Sequence, residues 1–331
     1  MDAVVVENLV KAFGEFKAVN GISFKVREGE IFGLLGPNGA GKTTAIKMLT
    51  TLLPPTSGRA KVAGFEIKNK QNEVRKNIGI IFQDPSLDED LTGKENLEFH
   101  AILYNIEKKK RDEKIGEVLK LVELEDKADV LVKNYSGGMK RRLEIGRGLI
   151  QEPKVLFLDE PTVGLDPQTR RHIWDYIKKL NKLKKTTLIL TTHYIEEADY
   201  LCSRVAFVEN GKIVALDTPK ALKDNLGGDV VSLQVDSEGK EEFIRSLKGA
   251  RWIKNISKHE DFVDLNVEDG ERRIPEIMAI ANKKKVAIKH VGLHKPSLED
   301  VFIHYTGRTI RDEGGSTKEQ MRSRHKAFTR R

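Results

Sequence analysis

Residues 31–49 read IFGLLGPNGAGKTTAIKML, and this stretch decides the fold. The apolar run 31–35 predicts a short buried strand, the glycine-rich turn 36–41 interrupts it, and residues 41–49 have helical spacing. The turn satisfies the pattern G-x-x-x-x-G-K-[ST], which indicates a phosphate-binding loop when a strand precedes it and a helix follows it. A chance glycine-rich turn is the alternative, and the flanking strand and helix argue against it. The stretch therefore predicts an α/β domain with a polyphosphate site.

The chemistry of such a loop assigns roles to its residues. Glycines let the backbone N–H groups point at a polyphosphate, and the amino terminus of the helix adds positive potential. Lys42 would reach the β- and γ-phosphates, and the Thr43 hydroxyl would be a ligand of Mg²⁺. The residues predicted to bind nucleotide in this loop are Gly36, Pro37, Asn38, Gly39, Ala40, Gly41, Lys42, Thr43 and Thr44.

A second apolar run, residues 155–158, ends in two acids. A buried strand here would deliver Asp159 to the outer coordination sphere of Mg²⁺, while Glu160 would polarise the attacking water. An acidic pair after a strand is common by itself. It gains its meaning here from following a phosphate-binding loop.

Composition is that of a globular chain with room for two domains. The 331 residues are 39% hydrophobic and 33% charged, enough to bury a core. No apolar run approaches the roughly 18–20 residues that span a bilayer. The single cysteine excludes an internal disulfide framework and a cysteine-based zinc site. We read no signal peptide in the acidic first residues and expect a soluble, cytoplasmic protein.

The pattern along the chain predicts three parts. Residues 1–224 alternate strands with helices, which implies a mostly parallel sheet, and an all-helical insertion interrupts it at about residues 84–151. Residues 225–307 begin in a polar, glycine-rich linker at about 224–229 and then have the order βαββαβ of a ferredoxin-like domain. Residues 308–331 lack apolar periodicity, so we predict a basic, disordered tail.

The net charge of +8 is concentrated at the carboxyl end. Residues 307–331 contain eight Lys or Arg and three Asp or Glu, a net charge of +5. A basic tail beside a near-neutral body is weak evidence for nucleic acid, and we expect no nucleic-acid partner. Two alternatives for the tail stay open: contact with an anionic membrane surface, or simple solvation.

Further short motifs occur in a fixed order around the loop and the acidic pair. They are Gln83 after a strand-like run, Tyr135-Ser136-Gly137-Gly138-Met139 before a helix, Gly164-Leu165-Asp166, and His193 after the strand 187–192. This set resembles the ATP-binding subunits of ABC transporters over residues 1 to about 220. Within that family the chain resembles drug-efflux ATPases of the daunorubicin-resistance type. They share the Ser-Gly-Gly-Met variant, the following Arg-Arg-Leu-Glu at 141–144 and the ending PSLEDVF at 296–302.

The resemblance implies a fold, an activity and partners. The fold is an ABC-type P-loop α/β domain with an antiparallel β subdomain and a helical insertion, followed by the small α+β domain. The activity is hydrolysis of ATP with Mg²⁺, coupled to export of drugs or lipophilic compounds. The partners are a second ATP-binding subunit, expected to be another copy in a head-to-tail dimer, and a separate transmembrane permease that docks on Gln83 and residues 84–104. That permease would hold the chain at the inner face of the cell membrane.

The resemblance also assigns roles to single residues. Phe13, where the family usually has Tyr, would stack on adenine with Val19 beside it, although without the resemblance Phe13 is better explained as a core residue. The implied catalytic residues are Glu160, His193, Gln83 and Lys42, and the implied metal-site residues are Thr43, Gln83 and Asp159. Those implied to bind the ATP of the partner subunit are Ser136, Gly137, Gly138 and Asp166. Tyr135 and Met139 depart from the usual Leu and Gln, while the Ser and the glycines are intact.

Two other functions compete with the transport reading. A soluble ABC ATPase acting on DNA or ribosomes would suit the isoelectric point of 9.2. Such proteins usually carry a long coiled-coil insertion or two cassettes, whereas this sequence has one phosphate-binding loop and no sustained heptad repeat. A non-catalytic nucleotide sensor is opposed by the presence of Glu160 and His193.

Overall fold

The computed structural model describes residues 1–84, 86–236, 239–258, 262–307 and 310, and it divides into two compact units, Met1–Ile213 and Val214–Arg331. Apart from Ile310, the predicted tail lies outside the described residues. No helix within the described ranges is both long enough and apolar enough to cross a bilayer.

The first unit alternates strands and helices after an initial hairpin, and its last strand, β10, continues past the division at Ile213. In chain order its elements are β1 (Asp2–Phe13), β2 (Phe16–Arg27), β3 (Ile31–Leu35), α1 (Lys42–Leu49), β4 (Ser57–Val62), β5 (Phe65–Glu66), α2 (Gln71–Lys76), β6 (Ile78–Ile81), α3 (Gly93–Leu103), α4 (Lys108–Leu121), α5 (Gly137–Leu149), β7 (Val155–Asp159), α6 (Pro167–Lys184), β8 (Thr187–Thr192), α7 (Ile195–Leu201), β9 (Arg204–Glu209) and β10 (Lys212–Asp217).

These strands form two sheets. The order β2-β1-β4-β5 is an antiparallel sheet, and this confirms the expected antiparallel subdomain. The second sheet has the order β10-β9-β3-β8-β7-β6, in which β3 pairs in parallel with β8 and β9, and β7 with β6 and β8. Strands β3, β7 and β8 are buried along their whole length, which is why they are continuous apolar runs rather than alternating ones.

The topology of the parallel sheet positions the site. Because parallel strands run in one direction, their carboxyl ends meet at one edge, where ligands bind in open α/β sheets. The segments that follow β3, β6, β7 and β8 at this edge carry the phosphate-binding loop, Gln83, Glu160 and His193. The predicted helical insertion is confirmed as α3, α4 and α5 between β6 and β7.

The second unit confirms the order βαββαβ. After α8 (Pro219–Leu226) its elements are β11 (Asp229–Val235), α9 (Lys240–Leu247), β12 (Ile253–Lys258), β13 (Phe262–Val267), α10 (Gly270–Lys283), β14 (Ile288–His294) and α11 (Leu298–Thr306). The sheet order is β12-β13-β11-β14, and each neighbouring pair is antiparallel. Its inner face packs on α9 and α10 in an aliphatic core around Phe243.

The predicted boundary between residues 224 and 225 differs from the division after Ile213. Helix α8 packs against α11 and so belongs to the second unit, and strands β9 and β10 were not predicted. The glycines of the predicted linker lie between α8 and β11, inside the second unit. Gly228 has a φ of +69°, and a Cβ there would lie 2.1 Å from the carbonyl oxygen of Val267. The glycines therefore serve close backbone packing inside the second unit.

Candidate active site

The phosphate-binding loop lies between β3 and α1 and presses against neighbouring backbone. A Cβ on Gly36 would lie 2.1 Å from the Val208 carbonyl oxygen, and a Cβ on Gly41 would lie 2.2 Å from that of Ala18. Gly41 also has a φ of +100°, a conformation that side chains disfavour. Glycine is thus required at both positions for the loop to keep this shape.

Lys42 points back into the loop that precedes it. Its side chain is 5% exposed, and Nζ donates to the carbonyl oxygens of Gly36 at 2.8 Å and Pro37 at 2.9 Å. Nζ also lies 3.5 Å from Oε1 of Glu160. The ammonium group is therefore held inside the loop, beside the carboxylate expected to activate water.

Thr43 and Asp159, two of the residues assigned to the metal site, are hydrogen-bonded to each other. The Thr43 hydroxyl donates to Oδ1 of Asp159 at 3.1 Å, and the Thr191 hydroxyl donates to the same oxygen at 2.5 Å. Asp159 is 2% exposed and lies opposite Thr191 in the pairing of β7 with β8. The sequence analysis did not identify Thr191, and only the register of these two strands would have revealed it.

Glu160 is held in an unusual backbone conformation at the end of β7. Its φ is +46°, and its N–H donates to the Thr191 hydroxyl at 3.0 Å. Oε1 lies 3.2 Å from Nδ1 of His193, which brings the two predicted catalytic residues into contact. Burial favours the neutral acid, but the hydrogen bond from His193 and the charge of Lys42 outweigh it and lower the pKa of Glu160. The carboxylate is therefore ionised at neutral pH.

The ring of His193 is positioned by its neighbours. It is 24% exposed, and its centroid lies 4.1 Å from that of Tyr194, whose ring in turn is covered by the Arg170 guanidinium at 3.9 Å. An aromatic and cationic stack of this kind stabilises the ring in the position observed. His193 thus presents one nitrogen to Glu160 and keeps part of its ring accessible.

Gln83 is a predicted catalytic residue that does not contact the other predicted catalytic residues through a hydrogen bond among the described residues. It is exposed, two residues beyond the end of β6, and among the described residues no hydrogen bond joins it to Thr43, Asp159 or Glu160. Strand β6 pairs directly with β7, so Gln83, after β6, and Asp159, the last residue of β7, lie at the same edge of the sheet.

Phe13 and Val19 lie on the antiparallel sheet. Val19 is buried, and its Cγ2 would lie 3.5 Å from a Cβ on Gly41, so it contacts the phosphate-binding loop. Phe13 is 52% exposed at the end of β1, with the ammonium of Lys11 over its ring at 5.1 Å. The core position expected for Phe13 without the resemblance is therefore wrong, because about half of the residue is accessible.

The Ser-Gly-Gly segment forms the beginning of α5 on an exposed surface. Ser136 caps this helix by accepting the N–H of Met139 at 3.3 Å, and Ser136 and Gly137 are exposed. The departure at Tyr135 has a structural reason: the ring is buried, and its hydroxyl donates to the Lys127 carbonyl at 2.6 Å. Helix α5 therefore presents a capped, accessible amino terminus to the outside of the unit.

Asp166 caps the neighbouring helix α6. Its carboxylate accepts the N–H groups of Gln168 at 3.1 Å and Thr169 at 3.0 Å. A Cβ on Gly138 would lie 2.7 Å from Cγ2 of Thr169, so the structure brings the amino termini of α5 and α6 into contact. Within the part of the chain that the structure describes, no hydrogen bond links these two helix starts to Lys42 or Thr43. The predicted residues thus form two groups, one around the phosphate-binding loop and one at these helix starts.

Comparison with known proteins finds matches to both parts of the chain. The ABC transporter family matches residues 19–163, and the C-terminal domain of the DrrA1-3-like ATP-binding proteins matches residues 218–306. The linearmycin resistance ATP-binding protein LnrL of Bacillus subtilis is 37% identical over 92% of this chain and 99% of its own. The daunorubicin resistance ATP-binding protein DrrA2 of Streptomyces coeruleorubidus is 39% identical over 96% of this chain and 98% of its own.

The first part of this chain has the same fold as a solved structure. The ATP-binding cassette MJ0796, in a dimeric, post-hydrolysis state bound to ADP and Pi, is 28% identical. It superposes with a TM-score of 0.58 on 65% of this chain and 98% of its own.

Proposed function

The chain belongs to the ATP-binding subunits of ABC transporters of the DrrA-like type, and on that premise we propose that it powers export of drugs or lipophilic compounds through a separate permease. The observation that carries the catalytic part is the contact of Glu160 with both His193 and Lys42 beside the phosphate-binding loop. The relatives named for linearmycin and daunorubicin resistance support the class of substrate.

In this proposal the chain's own residues divide the work of hydrolysis. Lys42 would exchange its carbonyl and carboxylate contacts for the β- and γ-phosphates, and Glu160 would accept a proton from the attacking water. His193, which contacts Glu160, would orient the carboxylate and contact the γ-phosphate. Phe13 would stack on adenine.

The residues present fit a magnesium ion. The Thr43 hydroxyl and the Asp159 carboxylate share a hydrogen bond of 3.1 Å, and oxygen atoms of this kind are the ligands that Mg²⁺ prefers. Thr43 would bind the ion, with Asp159 and Gln83 completing the set. When bound, the ion would neutralise charge on the phosphates.

A head-to-tail dimer would bring the second group of residues into use. Ser136, Gly137 and Asp166 lie on exposed helix starts, and helix amino termini bind anions. The dimeric state of the similar MJ0796 cassette supports this arrangement. We propose that these residues and Gly138 contact the ATP held by the loop of a second copy.

Replacing the proposed base tests the catalytic assignment. Glu160→Gln keeps the shape of the side chain but cannot accept a proton, so turnover should fall about 10²–10⁴-fold while ATP still binds. The variant should accumulate as an ATP-bound dimer in size-exclusion chromatography, because the dimer is no longer resolved by hydrolysis. Glu209→Gln, another buried acid of the first unit, is the control and should keep the parental rate. If Glu160→Gln hydrolysed ATP at the parental rate, Glu160 would not be the catalytic base.

Helix α3 offers a surface for the proposed permease. Four large apolar side chains at its end are 43% to 58% exposed: Phe99, Ile102, Leu103 and Tyr104. A cluster of this kind marks an interaction site. With the membrane subunit co-expressed, Phe99→Ser combined with Leu103→Ser should reduce co-purification, whereas Leu183→Ser, which alters another exposed leucine, should not. Undiminished co-purification would place the docking surface elsewhere.

We further propose that the permease holds the chain at the inner face of the membrane, where the basic tail meets anionic lipid. Each Lys or Arg near such a surface contributes about 1 kcal/mol. Ending the chain at Gly307 should weaken binding to phosphatidylserine vesicles at low salt. Equal vesicle binding by the full-length chain and the chain that ends at Gly307 would mean that the tail is solvated and does not contact lipid.

A further inference from the structure

A buried ion pair on α5 was not assigned to the site by the sequence analysis. Arg141 and Glu144 are 7% and 3% exposed, and Nη1 of Arg141 lies 2.8 Å from Oε2 of Glu144. Removing two charges from water costs more than their attraction returns unless further hydrogen bonds satisfy them. Those further bonds lead to two segments that carry proposed catalytic residues.

The first segment is the loop after β7. Nε of Arg141 donates to the carbonyl of Pro161 at 2.6 Å, and Nη2 lies 3.4 Å from the carbonyls of Asp159 and Glu160. Glu160 has a positive φ, which persists only where surrounding contacts impose it. The planar guanidinium, with several donors in fixed directions, supplies those contacts on the carbonyl side of the loop.

The second segment is the one that contains Gln83. Nη1 of Arg141 donates to the carbonyl of Phe82 at 2.8 Å, and Oε1 of Glu144 accepts the N–H of Ser86 at 2.9 Å. One ion pair therefore holds this segment on both sides of Gln83. A further arginine of α5, Arg147, donates to the Ser86 carbonyl at 2.8 Å.

We propose that Arg141 and Glu144 are positioning residues that fix Gln83 and Glu160 relative to each other and to the bound nucleotide. Among the described residues, no hydrogen bond or ion pair joins either of them to residues 36–44, so the pair acts on the chemical step and not on ATP affinity. This role rests on the proposed assignment of Glu160 as the base. In this role, α5 connects the segment around Gln83 to Glu160. A movement of that segment would therefore change the position of the Glu160 carboxylate.

A double substitution tests the role without leaving one charge unpaired. Arg141→Met with Glu144→Leu should lower kcat about tenfold or more, since small misplacements of catalytic groups have large effects, while Kd for ATP stays within about threefold. The control is Glu30→Leu with Arg204→Met. That pair, with Arg204 Nε 2.6 Å from Glu30 Oε1, is also partly buried but lies at the amino ends of β3 and β9, opposite the site. The control should lose similar thermal stability and keep kcat.

A single conservative variant decides the matter if the double variant does not fold. Arg141→Lys keeps a cation opposite Glu144 but cannot reach the carbonyls of both segments, so kcat should fall about fivefold or more with unchanged ATP affinity. A parental kcat in the folded variants, or a loss of ATP affinity that parallels the loss of kcat, overturns the positioning role. Glu160→Gln measured in parallel separates the two proposals: if it is active, the base assignment fails, and if it is inactive while the Arg141 variants are fully active, only the positioning role fails.

Discussion

Glu160 shows how one residue is tuned by opposing effects. Burial favours its neutral form, while the hydrogen bond with His193 and the charge of Lys42 favour the carboxylate, and together they lower its pKa. A base that stays ionised at neutral pH is available to every incoming water. The backbone of the same residue is strained, with a positive φ that surrounding contacts must maintain. Neither its charge nor its conformation is therefore set by its own local sequence.

The contact with His193 predicts a change in pH dependence. In His193→Ala the burial of Glu160 remains but its strongest stabilising partner is lost, so the pKa of Glu160 rises. The acidic limb of kcat/KM, which reports groups of the free enzyme, should therefore move to higher pH, and activity should fall further at pH 5 than at pH 8.

A second histidine–carboxylate contact provides the control for that experiment. His294 and Asp300 lie 3.2 Å apart in the second unit, which contains none of the predicted site residues, and His294→Ala should leave the acidic limb in place. An unmoved limb in His193→Ala would mean that Glu160 does not set it.

At the scale of elements, two helix amino termini form the second half of the proposed site. Ser136 and Asp166 each satisfy N–H groups of their own helix, and the glycines between them let the two helices touch. The same residues that cap the helices are exposed, so they remain available to a ligand carried by another copy.

The substitution Ser136→Arg should abolish ATP hydrolysis without affecting ATP binding. Ser136→Arg leaves Lys42 and its loop intact, so ATP should bind with parental affinity, but the bulky side chain should block the helix start and abolish turnover. Losing the cap itself costs only about 1 kcal/mol. Gln71→Arg places the same charge on the exposed first residue of α2 and should remain active.

Mixing two inactive variants tests the shared site. A dimer of Ser136→Arg with Lys42→Ala contains one site built from the intact halves of both copies, so the mixture should recover part of the ATPase activity. Neither variant alone should hydrolyse ATP. No recovery together with tight, ATP-dependent dimers of Ser136→Arg alone would contradict the head-to-tail arrangement.

At the scale of the whole molecule, every residue assigned to nucleotide, metal or catalysis lies in the first unit. The second unit has its own sheet, its own core and its own capping box at Ser297 and Asp300. We expect it to regulate or stabilise the dimer and to take no part in chemistry.

Removing the second unit tests that division of labour. A chain ending at Asp217 keeps β10 whole and should bind ATP within about threefold of the parent, a change of less than about 1 kcal/mol. In the Glu160→Gln background its ATP-dependent dimer should be weaker by size-exclusion chromatography. Lost ATP affinity with an unchanged circular dichroism spectrum would mean that the second unit completes the nucleotide site.

The sequence by itself determined the parts that depend on neighbouring residues. A phosphate-binding loop uses the backbone of a short continuous segment, so residues 36–44 identify it without any tertiary information. The order βαββαβ of the second unit likewise follows from local periodicity, and the structure confirms it. The roles assigned through the resemblance remain proposals for these residues.

Only the tertiary structure decided the contacts between distant segments. The partners Thr191 and Asp159 follow from the register of β7 with β8, and the Arg141–Glu144 pair meets two loops because α5 packs against β6 and α6. The exposure of Phe13 and the division after Ile213 also depend on how distant segments pack and not on local sequence. Hydrophobic patterning states which residues prefer burial, but which backbone groups meet a buried charge depends on how the elements pack, and no local pattern contains that information.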